Sequence, residues 1–136
     1  MLSSVHHVAY VVPDLAGAVK LFEEALGLTV EQRHGESAEW GFEFAVLRLR
    51  GSPTRVELIH PTRPDTPMGQ FLAQTGGGLH HVAYEGGDLA TLAGALRARG
   101  IGIAAGPRPA PTGWESLDLD PSTTQGLVTQ LSQDRE

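Results

Sequence analysis

The chain has no cysteine among its 136 residues. That excludes disulfide scaffolds, thiolate metal sites and thiol nucleophiles. Lysine occurs once, at Lys20, and the nine arginines are scattered. With a net charge of −6 the chain lacks the clustered basic face that phosphate contacts need, so nucleic acid is not an expected partner. No apolar run approaches the length of a membrane span, and the first residues do not pair a basic stretch with an apolar one. Neither a membrane segment nor a secretory leader is expected, and a cytoplasmic protein is the default. Apolar residues make up 40% and charged residues 19%, a composition that supports a globular core. The length suits one domain, 1–136.

An internal repeat organises the chain. Residues 7–15 read HVAYVVPDL and residues 81–89 read HVAYEGGDL, at a constant offset of 74. Each is preceded by a second histidine, His6 or His80, and followed by a helical pattern. Module 1 (about 4–60) reads as strand 5–12, then a helix capped by Asp14 with Leu15, Val19, Phe22 and Leu26 as its stripe. Strands 28–33, 41–49 and 54–60 follow, with Gly51-Ser52-Pro53 as a hairpin loop. Module 2 (about 78–133) repeats this with strand 79–85, a helix over 88–99 and strands 101–105, 114–119 and 127–132. The linker 61–77 carries a short helix near 67–75, stopped by Gly76-Gly77-Gly78. That glycine run is not a phosphate loop, because no Lys-Ser/Thr follows it. The expected fold class is α+β, built of two tandem β-α-β-β-β modules.

Four polar side chains recur at matching places. His7 and His81 lie on the first strand of each module, and Glu57 and Gln130 on the last, 50 and 49 residues later. Any one histidine alone reads better as a strand residue facing water. Four at repeat-related positions can converge if the modules are related by a pseudo-two-fold axis. Two imidazoles, a carboxylate and an amide oxygen suit one divalent first-row metal with open water positions. Period-two alternation puts His6 and His80 on the opposite strand face, where they read as packing or interface residues. His60 reads as a solvent-facing or loop residue and His34 as part of a hairpin. Arg48 and Arg50 read as one solvated strand face. Trp40 and Trp114 are candidates for a pocket wall or for packing.

These features resemble the vicinal oxygen chelate superfamily of glyoxalases, bleomycin resistance proteins and extradiol dioxygenases, and most closely its methylmalonyl-CoA epimerases. The stretches HVAYVVPDL, VELIHPTRPDTPMGQFL, GGGLHHVAY and DPSTTQGLVTQLSQ carry the resemblance over most of residues 5–133. It implies that the two modules form curved mixed sheets around a metal-binding cleft. It also implies a divalent-metal-dependent isomerase that removes an acidic α-proton through a metal-stabilised enolate. The implied ligands are His7, Glu57, His81 and Gln130, and the metal is Co, Mn, Zn, Ni or Mg. The implied bases are Glu39, with Glu43 as fallback, and Glu57. The resemblance further implies a small-molecule substrate, an acyl-CoA among the candidates, and a homodimer. The family carries glutamate where this chain has Gln130. An amide can bind a metal through its oxygen but cannot serve as a base. Glu115 and Asp120 also depart from the family pattern. The alternatives are another metal-dependent enzyme, such as a glyoxalase-like lyase or a dioxygenase, and a non-catalytic antibiotic-binding protein.

Overall fold

A computed structural model describes residues 1–135. The elements follow the order β1 (Ser4–Val11), α1 (Leu15–Lys20), β2 (Thr29–Ser37), β3 (Phe42–Arg48), β4 (Arg55–Pro61), α2 (Pro67–Thr75), β5 (Gly78–Glu85), α3 (Leu89–Ala98), β6 (Ile103–Pro109), β7 (Glu115–Leu119) and β8 (Thr129–Gln133). This is an α+β chain in which β-α-β-β-β occurs twice. No helix of the described residues is long and apolar enough to cross a membrane.

Contacts divide the chain into two compact units that do not coincide with the two modules. The central unit is Val8–His80, and the terminal unit joins Met1–His7 to the residues from His81 onward. The boundaries therefore fall inside β1 and β5, beside the two repeat-related histidines, His7 and His81.

In the central unit the strand order is β2-β3-β4-β1. Asp14 caps α1, its carboxylate accepting the Gly17 backbone N–H at 3.1 Å. Leu15 and Val19 then meet Ala45, Leu47, Val56 and Leu58 beneath them. These sheet residues alternate along β3 and β4, so one sheet face belongs to the helix. The predicted stripe fails at its last member. Leu26 is 58% exposed, because a π-helical turn over Leu21–Ala25 intervenes. The Leu26 N–H bonds back five residues to the Leu21 carbonyl, and the extra residue turns Leu26 out of phase. Leu28 fills the core instead.

In the terminal unit the order is β1-β5-β8-β7-β6, with β5 and β8 parallel and β6-β7-β8 antiparallel. Asp88 caps α3, whose Leu89, Leu92 and Ala93 pack on Leu117, Leu119 and Leu131. Strand β6 runs past the predicted 101–105 to Pro109. Its two prolines are tolerated because it is the last strand in the order. Strand β2 likewise continues past the predicted 33 to Ser37, so His34 lies within the first strand of the β2-β3 hairpin. There it meets Glu43, with Nε2 at 3.2 Å from the carboxylate. Arg50 lies beyond the end of β3, so it shares no strand face with Arg48. His60 is on β4 and is not a loop residue; its Nδ1 donates to the Val12 carbonyl at 2.9 Å.

Candidate metal centre

In each unit the strands have a second face, turned away from the helix. In the terminal unit Tyr84 and Leu131 join the α3 core, so Ala83 and Gln130, one residue off in each strand, lie on the other face. Gln130 is registered against Ala83 on β5 and Asp118 on β7. His81 precedes Ala83 by two residues and shares that face. Next along are Ser116 and Ser132, registered to each other, with hydroxyls 3.0 Å apart. Asp118 takes a 2.8 Å bond from Arg108. This face therefore carries an amide, an imidazole, two hydroxyls and an ion pair.

His7 and His81 are both in this unit and both buried, at 0% and 4% exposure. Their rings cross edge to face with centroids 5.5 Å apart. A nitrogen of one lies within 4.8 Å of a nitrogen of the other. An ion held at about 2.0–2.1 Å by each of two imidazoles needs their nitrogens roughly 3–4 Å apart, which lies inside that limit. That limit admits one divalent metal shared by the two histidines. Trp114, buried in the same unit, packs against His7 and His6. Its ring centroid is 4.6 Å from that of His7 and 5.0 Å from that of His6.

His6 overturns a simple reading of alternation. Strand geometry fixes the direction of Cβ, not where a flat ring ends. His6 Nδ1 comes within 2.8 Å of His7 Nδ1, and its Nε2 is 2.8 Å from the Asp134 carboxylate. His6 is thus a packing residue, as expected, and also a hydrogen-bonded neighbour of the metal candidate. Asp134 was not singled out in the sequence, because no spacing rule links a residue just past the last strand to the first. His80 belongs to the central unit, where it stands edge-on to Phe71.

Glu57 lies in the central unit, buried on β4 and registered against Val46. Leu58 and Ala45 belong to the helix-side core, so Glu57 is on the opposite face, among Phe44, Val46 and Ile59. A buried carboxylate is costly unless it is compensated, and a cation is one form of compensation. Glu39 is exposed in the turn before β3, and its carbonyl accepts from Arg63 at 3.3 Å. Glu43 is on the helix side of β3, in register with His60 and one residue before Phe44. It lines a cavity of about 520 Å³ with Leu15, Lys20 and Arg33, on the face opposite Glu57. Trp40 is 45% exposed.

Residues 6–116 match the Glyoxalase/Bleomycin resistance protein/Dioxygenase superfamily. Among curated proteins, the chain is 29% identical to an ethylmalonyl-CoA/methylmalonyl-CoA epimerase of Cereibacter sphaeroides over 98% of this chain and 99% of that one. It is 30% identical to the mitochondrial methylmalonyl-CoA epimerase of Bos taurus, over 97% of this chain and 75% of that protein. Among solved structures, a Streptomyces coelicolor methylmalonyl-CoA epimerase in complex with 2-nitronate-propionyl-CoA superposes with a TM-score of 0.90 at 26% identity, covering all of both chains.

Proposed function

Because this chain belongs to the Glyoxalase/Bleomycin resistance protein/Dioxygenase superfamily, we propose that it is an epimerase of a carboxyacyl-CoA thioester. The observation that carries the proposal is the buried His7–His81 pair, at repeat-related positions of a chain that matches a named epimerase from end to end.

His7 and His81, with Glu57 and Gln130, would hold one divalent ion. Bound there, the ion would supply Lewis-acid polarisation of the thioester and carboxylate oxygens. The proton between those two groups is the acidic one, and epimerisation removes it from one face and returns it on the other. Glu39, exposed ahead of β3, takes the role of one base. Gln130 has no titratable proton, so the second proton transfer falls to Glu57 or to a water. A homodimer is part of the same proposal.

The test is proton exchange. The protein is incubated in D₂O with methylmalonyl-CoA, with and without Co²⁺, and deuterium at the α-carbon is followed by mass spectrometry. Metal-dependent exchange supports the proposal. Absence of exchange in protein shown to hold metal would reject the reaction while leaving the ligands standing. His7→Ala and His81→Ala should each abolish stoichiometric metal, read by elemental analysis. Unchanged metal content would remove the proposed centre.

A further inference from the structure

We propose that Asp134 and His6 are positioning residues for His7. A hydrogen-bond chain Asp134–His6–His7 keeps the His7 proton on Nδ1 and leaves Nε2 as the metal-binding nitrogen. The inference deepens the metal reading above and rests on it. All three residues belong to the terminal unit.

The argument follows the protons. A carboxylate only accepts, so the 2.8 Å contact between Asp134 Oδ1 and His6 Nε2 requires the hydrogen on His6 Nε2. Neutral imidazole carries one N–H, so His6 Nδ1 is then an acceptor. Two ring nitrogens 2.8 Å apart need one donor and one acceptor. The donor is therefore His7 Nδ1–H. This leaves the His7 lone pair on Nε2, the nitrogen on the far side of the ring from His6.

Metal-bound histidines commonly donate their second N–H to a carboxylate or carbonyl, which fixes tautomer and orientation. Here a second imidazole stands between the carboxylate and the ligand. The two rings are held in place by burial. The His6 side chain is 1% exposed, His7 is fully buried, and Trp114 packs against both. Only Asp134 reaches the surface, at 56% exposure. The duplication does not repeat this device in the terminal unit. The histidine before His81 is His80, which lies in the other unit against Phe71.

The first measurement needs no variant and no metal. Long-range ¹H–¹⁵N correlation on the metal-free protein reads which nitrogen of each histidine is protonated. The expected result is His7 with Nδ1–H and His6 with Nε2–H. His7 found with its proton on Nε2 overturns the proposal. The second measurement is Co²⁺ affinity by optical titration. Asp134→Ala, at an exposed site, should weaken binding about 10-fold, and His6→Ala about 10–100-fold. Asp134→Asn keeps an acceptor oxygen and should stay within a few-fold of wild type. Wild-type affinity in Asp134→Ala, with the fold intact, also overturns the proposal. If wild type itself binds no Co²⁺ yet shows the expected tautomers, the metal reading fails, while the hydrogen-bond chain stands as measured.

Discussion

The two units use the same ladder for opposite chemistry. On the face away from the helix, the central unit registers Val46 against Glu57 and Phe44 against Ile59. The terminal unit registers Asp118 against Gln130 and Ser116 against Ser132. These are equivalent positions in β3-β4 and β7-β8. In one unit the ladder neighbours of the last-strand polar residue are apolar side chains. In the other they are hydroxyls and an ion-paired carboxylate. The edge strand completes the contrast. Arg108 is registered against Ser116, whereas Gly35 is registered against Phe44. A Cβ at Gly35 would collide with the Phe44 ring. The pleat is conserved between the units while the environment of the polar residue is not. A repeat therefore predicts where a side chain goes better than it predicts what surrounds it.

Exchanging the two environments is the severest test. Val46→Asp gives the central unit the carboxylate that Asp118 provides in the terminal one. Val46 is 1% exposed, and the position equivalent to Arg108 is Gly35, which offers no guanidinium. An uncompensated buried charge costs about 3–5 kcal/mol, enough to unfold many domains of this size. Circular dichroism with urea titration should show the variant largely unfolded or its midpoint sharply lowered. A midpoint near wild type would mean that this face is far wetter than its burial indicates.

The serine pair gives the next largest effect. Ser116 and Ser132 are 1% and 0% exposed and bonded to each other. Ser132→Ala leaves one buried hydroxyl without this partner, at a cost of about 1–3 kcal/mol. Ser116→Ala/Ser132→Ala removes both polar groups and should cost less than the sum of the single changes. Additive losses in urea unfolding would show that the hydroxyls do not satisfy each other.

Gln130→Glu makes the two last strands alike. Its cross-strand partner is Asp118, and like charges directly opposite each other are destabilising by a few tenths to about 1 kcal/mol. The metal-free variant should melt slightly below wild type. Added Co²⁺ should raise its Tm by more than it raises that of wild type, because a carboxylate is a better ligand than an amide. An equal response to Co²⁺ in both proteins would remove residue 130 from the ligand set.

Much of this was legible in advance. The repeat located both helices, their aspartate caps and the His7–His81 pair, because identical tetrapeptides imply identical pleats. The linker helix agreed with the structure at both ends, since Thr66, Pro67 and Gly76 are ordinary start and stop residues. Three features were hidden. The π-helical turn at Leu21–Ala25 has no sequence signature, so Leu26 kept a place in the stripe that it does not hold. The His6–Asp134 bond joins residues 128 positions apart. The Asp118–Arg108 pair depends on register shifts within β6 and β7, which no pattern of apolar residues announces.

The smallest effect separates the two helix caps, Asp14 and Asp88, which are themselves repeat-related. Asp14 accepts the Gly17 N–H at 3.1 Å, and a side chain at Gly17 would collide with the Asp14 carboxylate. The equivalent of Gly17 is Thr91, which gives Asp88 its N–H at 2.8 Å and its hydroxyl at 2.7 Å. The Thr91 hydroxyl and, after it, the Thr91 N–H hold the Asp88 carboxyl below its ordinary value. A carboxyl depressed in the folded state stabilises the fold above its unfolded value, and that contribution is lost as pH falls through the folded one. Acid should therefore loosen α3 through Asp88, with a shallow effect because the group is fully exposed. Carboxyl ¹³C titration should place the Asp88 midpoint below that of an unstructured aspartate. Thr91→Val removes the larger cause and should move the midpoint back up. An unmoved midpoint would assign the depression to the backbone N–H alone, and the two caps would then be equivalent despite their different partners.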